Sequence, residues 1–399
     1  MRRILFVDDE PRILAGLRRL LRPQRKEWEM HFAEGGQAAL DLLAETPVDV
    51  LVTDMRMPGI DGAELLRRVS ERYPHTVRFV LSGHSELEAV MRVVPIAHQF
   101  LSKPCDAAVL REAVTRACAL QSLLQSPEFT RIVGEMDALP SQPETYNAVN
   151  RALSDPEVEI ATVAGIIEGD TGMSAKILQL VNSSFFGLPR KVGSVADATT
   201  FLGLNTIRDL VLSVEVFKAP EGISPLLEEF LGALQRRSRH TAILARAMFE
   251  DKVEASRAFT SGMLHDVGCL VLASQMPERY AELLERARGD ERPSWQIEEQ
   301  ELGVSHAEVG AYLLGLWGLP YPILEAAAYH HRPSTLPQER MSDLAAVHVA
   351  SALVQARLPE CRFGQPGQID LAYLESLGLE DRLADWELLA DRVLKVGGD

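Results

Sequence analysis

The chain has 399 residues, room for two or three domains, and is 46% hydrophobic, which supplies large cores and argues against global disorder. Its 41 basic and 57 acidic residues give a formal net charge of −16. That balance is a poor match for a phosphate backbone, no basic patch with interleaved aromatics offsets it, and direct DNA binding is not expected.

The four cysteines, Cys105, Cys118, Cys269 and Cys361, are scattered with no CxxC, as for reduced thiols in a cytosol. Met1-Arg2-Arg3 has the charge of a signal peptide, but the apolar run behind it is short and ends in acids. No apolar run approaches about 18 residues. The expectation is a cytoplasmic protein with no membrane span.

The first third alternates short apolar strands with amphipathic helices. Strands are expected at 4–7, 48–53, 76–82 and 98–102, with a weaker one near 28–33. Pro11 suits the first turn of a helix that puts Ile13, Leu14, Leu17, Leu20 and Leu21 on one face. The alternation predicts a doubly wound parallel α/β sheet.

In such sheets ligands bind at the carboxyl edge. Val48 to Val52 leads into Asp54 and the Pro58-Gly59 turn, and Ile4 to Val7 into Asp8 and Asp9. The later strands end at Ser82 and Lys103. Clustered carboxylates call for a hard cation, and Mg²⁺ takes oxygen ligands and keeps several waters. A lysine beside that ion can balance an incoming phosphoryl group and a hydroxyl can bond its oxygens. Asp54, followed by the tight turn, is the natural nucleophile for an acyl-phosphate.

"VDDE", "VTDMRMPGIDG", "VLSG" and "FLSKP" make residues 1–120 resemble a response-regulator receiver domain, of flavodoxin-like fold. The resemblance implies that Asp54 accepts phosphate from a histidine kinase. Asp8, Asp9, Asp54 and the Arg56 carbonyl would hold Mg²⁺, Ser82 and Lys103 would read the phosphoryl group, and Phe100 would be the aromatic that changes rotamer.

Leu110, Val114, Ala117, Leu120 and Leu124 recur at helical spacing until Pro127. Two readings stand: a helix that covers its own sheet, or one that continues as a linker over 121–130 and pairs two copies of the chain.

From Phe129 onward the pattern is helical, with breaks at Pro140, Pro143, Pro156, Gly172, Gly187 to Pro189, Gly203 and Pro220. His240, His265 with Asp266, His306, and His330 with His331 each lie among apolar neighbours. Imidazoles and a carboxylate in a helical core need a partner. Fe, Mn, Ni or Zn suits them, and such ions support phosphoester hydrolysis.

"VNSSFFGLPRKVGSVADATTFLGLNTIRDLVLS" and "LHDVGCLVL" make residues 131–335 resemble the HDOD family, an all-α relative of the HD phosphohydrolases regarded as a signalling module. The chain matches the related HD-GYP phosphodiesterases at His240, His265, Asp266, His306, His330 and His331. It departs from them at Ser351 for the last metal aspartate, Cys269 for a lysine, Arg332-Pro333-Ser334 for the GYP stretch, and Arg236 for an extra glutamate. Residues 336–399 are expected as helices packing on this domain, with a partner-docking helix as the other reading.

The sequence thus points to a response regulator whose HDOD output acts through protein contacts with an unidentified signalling protein. The alternative is a metal-dependent phosphohydrolase acting on cyclic dinucleotides.

Overall fold

The computed structural model describes residues 1–82, 93, 96–103, 105–123, 129, 132, 133, 143–153, 155, 157–183, 188, 191–212, 224–358 and 364–396. Outside these lie most of the 121–130 linker, Pro140, Pro156, Gly187, Pro189, Pro220 and Cys361.

The N-terminal domain is a five-stranded parallel sheet of β1 (Arg2–Asp8), β2 (Trp28–Glu34), β3 (Val50–Asp54), β4 (Val77–Ser82) and β5 (Gln99–Ser102), in the order β2-β1-β3-β4-β5. All five expected strands are present. Every residue of β3 and β4 is buried, as for central strands covered on both faces. Each fully buried Val, Leu or Phe there stabilises the sheet by roughly 1.5–3 kcal/mol. The helices α1 (Pro11–Leu20), α2 (Gly36–Glu45), α3 (Gly62–Arg72) and α4 (Ala107–Leu123) flank it.

One detail of the helical face differs from expectation. Leu20 is 47% exposed, and Leu21 takes the core position instead. The helix gives way at Leu21 to a 3₁₀ turn, Arg22–Lys26, which changes the direction each side chain faces.

The second half is helical: α5 (Pro143–Leu153), α6 (Ile160–Ile167), α7 (Thr171–Asn182), α8 (Val195–Leu212), α9 (Pro225–Ala247), α10 (Lys252–Leu264), α11 (Val267–Gln275), α12 (Pro277–Arg288), α13 (Ser294–Leu302), α14 (His306–Leu316), α15 (Tyr321–Tyr329), α16 (Asp343–Arg357), α17 (Leu371–Ser376) and α18 (Leu383–Val396). Every residue of α7 is buried, so it is a central helix rather than an amphipathic surface one. Gly203 breaks α8 with a kink, as its spacing predicts.

Residues 336–399 divide into two parts. Helix α16 packs on α9, α10 and α15. Its buried Asp343 accepts from Arg257 Nε at 2.9 Å, Arg257 Nη2 at 2.9 Å and Ser261 Oγ at 2.9 Å, all on α10. It is therefore an inner member of the bundle. Only α17 and α18 form a cap, with Leu374 and Trp386 buried beneath it. Among the described residues, no helix is long and apolar enough to cross a membrane.

Candidate functional site

Two clusters of ionisable groups stand out. The first is the carboxyl edge of the sheet. The register pairs Val7 with Thr53, Asp54 with Leu81 and Ser82 with Ser102, so Asp8, Asp54, Ser82 and Lys103 end up at one level. Ligand atoms of Asp8, Asp9 and Asp54 lie within 4.8 Å of one another. Lys103 Nζ sits 2.6 Å from Asp54 Oδ1 and 3.1 Å from Asp8 Oδ2. Burial pushes the Asp54 carboxyl up despite this lysine. Burial works against the Lys103 ammonium, but Asp54 and Asp8 outweigh it and raise its pKa.

The loop after β3 is pinned where it needs to be. Asp61 caps α3 by accepting from Glu64 N at 2.8 Å. A Cβ on Gly62 would lie 2.2 Å from the Asp54 carbonyl oxygen, so only glycine lets the loop fold back against the acid. Arg56 is exposed on this loop. Ser82 Oγ is buried with no hydrogen-bond partner among the described residues, and Phe100 is fully buried. Three carboxylates, a lysine and a free hydroxyl fit Mg²⁺ together with a phosphoryl group.

The second cluster lies inside the helical bundle. Ligand atoms of Asp266, His306, His330 and His331 fall within 4.8 Å of one another. Asp266 Oδ1 faces His306 Nε2 at 3.2 Å and His330 Nε2 at 3.5 Å. His331 Nε2 meets His306 Nε2 at 2.9 Å. Gly268 lets α11 and α14 touch: a Cβ there would lie 1.9 Å from the His306 carbonyl oxygen. Of the other expected ligands, His265 reaches Asp266 Oδ2 at 3.0 Å, from the other side of the carboxylate. His240 stays outside, its Nδ1 donating to Arg236 O at 2.8 Å in its own helix.

Hydrogen bonds fix which nitrogen is free. His330 Nδ1 donates to Ala327 O at 3.0 Å, so its proton is on Nδ1 and the Nε2 lone pair faces the cluster. That Nε2 is buried and makes no hydrogen bond among the described residues. His306 Nδ1 donates to Glu298 Oε2 at 2.6 Å, and Tyr280 OH donates to Glu298 Oε1 at 2.9 Å. A carboxylate behind a histidine is the usual support for a metal-ligating imidazole. Burial lowers His330 to about 4 and His331 well below the usual range, so both are neutral. Three imidazole nitrogens and one carboxylate oxygen around a point fit a Zn²⁺, Fe²⁺ or Mn²⁺ class ion.

The sequence reading missed the residues that hold this cluster. Glu298 sits in the acidic run "EEQEL", where nothing marks one acid as buried. Arg237, rather than the neighbouring Arg236, reaches the cluster: its Nε donates to Asp266 Oδ2 at 2.8 Å. His348 donates from Nδ1 to His330 O at 2.7 Å, and its Nε2 accepts from Asp370 N at 2.8 Å. Its apolar neighbours in "AAVHVAS" were the available signal. A cavity of about 470 Å³ opens beside His330 and His331, with Trp295, Gln296, Ser351 and Gln355 in its wall.

Residues 4–115 match the response regulator receiver domain family and residues 139–333 the HDOD domain family. The chain is a receiver–HDOD protein. Its N-terminal part is 37% identical over 122 residues to the hydrogenase transcriptional regulatory protein HoxA of Cupriavidus necator, covering 30% of this chain and 25% of HoxA. A longer match, 24% identical over 251 residues, is to an uncharacterized protein of Treponema pallidum and covers 63% of this chain and 48% of that one. The chain thus spans about half or less of these curated relatives. A virulence factor structure from Campylobacter jejuni (cj0248) shares the fold at TM-score 0.52 and 18% identity, over 68% of this chain and 98% of that one. The two family matches make the chain a response regulator with an HDOD output domain.

The receiver and HDOD domains share one continuous core. Gln99, next to Phe100 on β5, donates from Nε2 to Leu316 O at 2.9 Å, at the carboxyl end of α14. Gln179 Nε2 on α7 donates back to Ala97 O at 3.1 Å. Receiver helix α4 packs along α14. The amino end of α14 is His306, so one helix joins the receiver contact to the histidine cluster.

Proposed function

We propose that a histidine kinase phosphorylates Asp54 of the receiver and that this controls the HDOD domain, whose output is contact with a further signalling protein in the cytoplasm. Asp8, Asp9, Asp54 and the Arg56 carbonyl would hold Mg²⁺, which neutralises charge as the phosphoryl group arrives. The observation that carries this reading is the lysine shared by Asp54 and Asp8, together with a buried Ser82 hydroxyl that has no partner among the described residues. Asp54 attacks phosphorus, the bond from phosphorus to the kinase histidine breaks, and an acyl-phosphate forms. Lys103 then exchanges Asp54 Oδ1 for a phosphoryl oxygen, and Ser82 donates to another. Withdrawal of Lys103 and Ser82 toward the new group pulls on β4 and β5, and Gln99 passes the shift to α14. The acidic charge of the chain supports a protein target rather than DNA. The test is labelling by acetyl phosphate with Mg²⁺: the wild type labels and Asp54→Asn does not. Labelling of the variant would remove Asp54 as the acceptor.

One observation favours a second reading, a metal-dependent phosphohydrolase acting on cyclic dinucleotides. The four candidate ligands include two that wall a cavity large enough for part of such a substrate. A bound transition metal would supply Lewis-acid chemistry toward phosphoester oxygens. The chain's own residues would orient it: Glu298 fixes His306, and the Ala327 and His330 carbonyls fix His330 and His348. Hydrolysis of a cyclic dinucleotide by metal-loaded protein, lost in His306→Ala, would support it. Equal rates in the two proteins would end it.

A further inference from the structure

Resting on the metal-site reading above, we infer that the HDOD centre takes a single divalent ion because Arg237 already occupies the second cation position. The carboxylate of Asp266 is split between two sides. Its Oδ1 faces His306 and His330, as a ligand to one ion would. Its Oδ2 is taken by Arg237, with Nη2 at 2.6 Å and Nε at 2.8 Å. His265 Nε2 stands on the same oxygen at 3.0 Å, and its Nδ1 donates to Gly262 O at 2.7 Å.

For Asp266 to bridge two ions, the second would have to bind Oδ2 at about 2.0–2.2 Å. The guanidinium is in that place, and both groups are buried. A guanidinium cannot lose its proton to make room. A divalent ion on the same oxygen would face a fixed positive charge at short range in a medium that screens little. Arg237 therefore does for Asp266 what a second metal would do: it neutralises the carboxylate and fixes its rotation. The ion's site is then Asp266 Oδ1 with the Nε2 atoms of His306, His330 and His331, and His265 belongs to the guanidinium side.

The experiment is a Co²⁺ titration of the metal-stripped full chain, followed by visible absorption and by elemental analysis after gel filtration. Excess Mg²⁺ keeps the receiver carboxylates filled. The expected result is saturation at one equivalent, abolished in His306→Ala. Two equivalents on the HDOD domain would overturn the inference while leaving the metal reading intact. No bound ion in folded protein would overturn both. A variant tests the role of the charge. Arg237→Met, checked for folding by circular dichroism, is expected to take up a second equivalent of Co²⁺, since the cation on Asp266 Oδ2 is gone. Saturation still at one equivalent in this folded variant would overturn Arg237's role as the occupant of the second cation position.

Discussion

The receiver edge and the HDOD cluster are two answers to one problem, the stabilisation of converging ionisable groups. At the receiver edge the groups are oxygens, held by backbone at the ends of four strands, with one lysine between two carboxylates. In the HDOD cluster they are mostly nitrogens, aimed by fixed partners: Glu298 and Arg237 from other helices for His306 and Asp266, and the Ala327 carbonyl of its own helix for His330. In the proposed switch, the first arrangement gives an arriving phosphoryl group a charge to recruit. The second holds His306, His330 and Asp266 in place through hydrogen bonds of their own. The two sites thus differ in where their counter-charges are anchored.

The sharpest way to break this comparison is at the receiver. Asp54→Asn should remove phosphoryl labelling entirely and leave metal content at the histidines unchanged. A loss of both would mean that the two centres are not separate. Next in size is a control within the bundle. Asp343→Ala removes the buried partner of Arg257, away from both centres, and should cost about 3–5 kcal/mol in urea unfolding. A cost near zero would show that α16 is not the inner helix described above.

Glu298→Gln sharpens the holding half. It should weaken metal affinity at the histidines by about 10–100-fold while labelling at Asp54 persists. Lys103→Ala tests the moving half: Mg²⁺ binding should remain and the phosphorylated form should no longer alter the HDOD domain. Loss of Mg²⁺ binding would reverse the roles given to the lysine and the acids. The smallest effect is expected at Gln99→Ala. Loss of its bond to Leu316 O should cost about 1 kcal/mol in stability and reduce the response of α14 to phosphorylation.

The receiver was legible because its chemistry is local. Each functional group follows directly on an apolar strand, and a parallel sheet brings strand ends together at one edge. The helical part was legible only in outline. The apolar surroundings of His306, His330 and His331 marked them as core, and the bundle does unite them with Asp266. His240 follows the polar run Arg236-Arg237-Ser238-Arg239, and its ring turns to the backbone of its own helix. Glu298, Arg237 and His348 come from three further helices, and no periodicity reports which polar residue of an acidic or basic run faces inward. Residues 336–357 looked like an extension because the sequence shows helices but not which neighbours they bury. Asp343 and Arg257, 86 residues apart, make α16 part of the bundle.

Hydrogen–deuterium exchange on the full chain, with and without acetyl phosphate and Mg²⁺, tests the central claim most directly. Phosphorylation should change exchange in β5 and along α14, from Leu316 back to His306, and Asp54→Asn should abolish both changes. A change confined to the receiver, with α14 unaffected in fully phosphorylated protein, would contradict it.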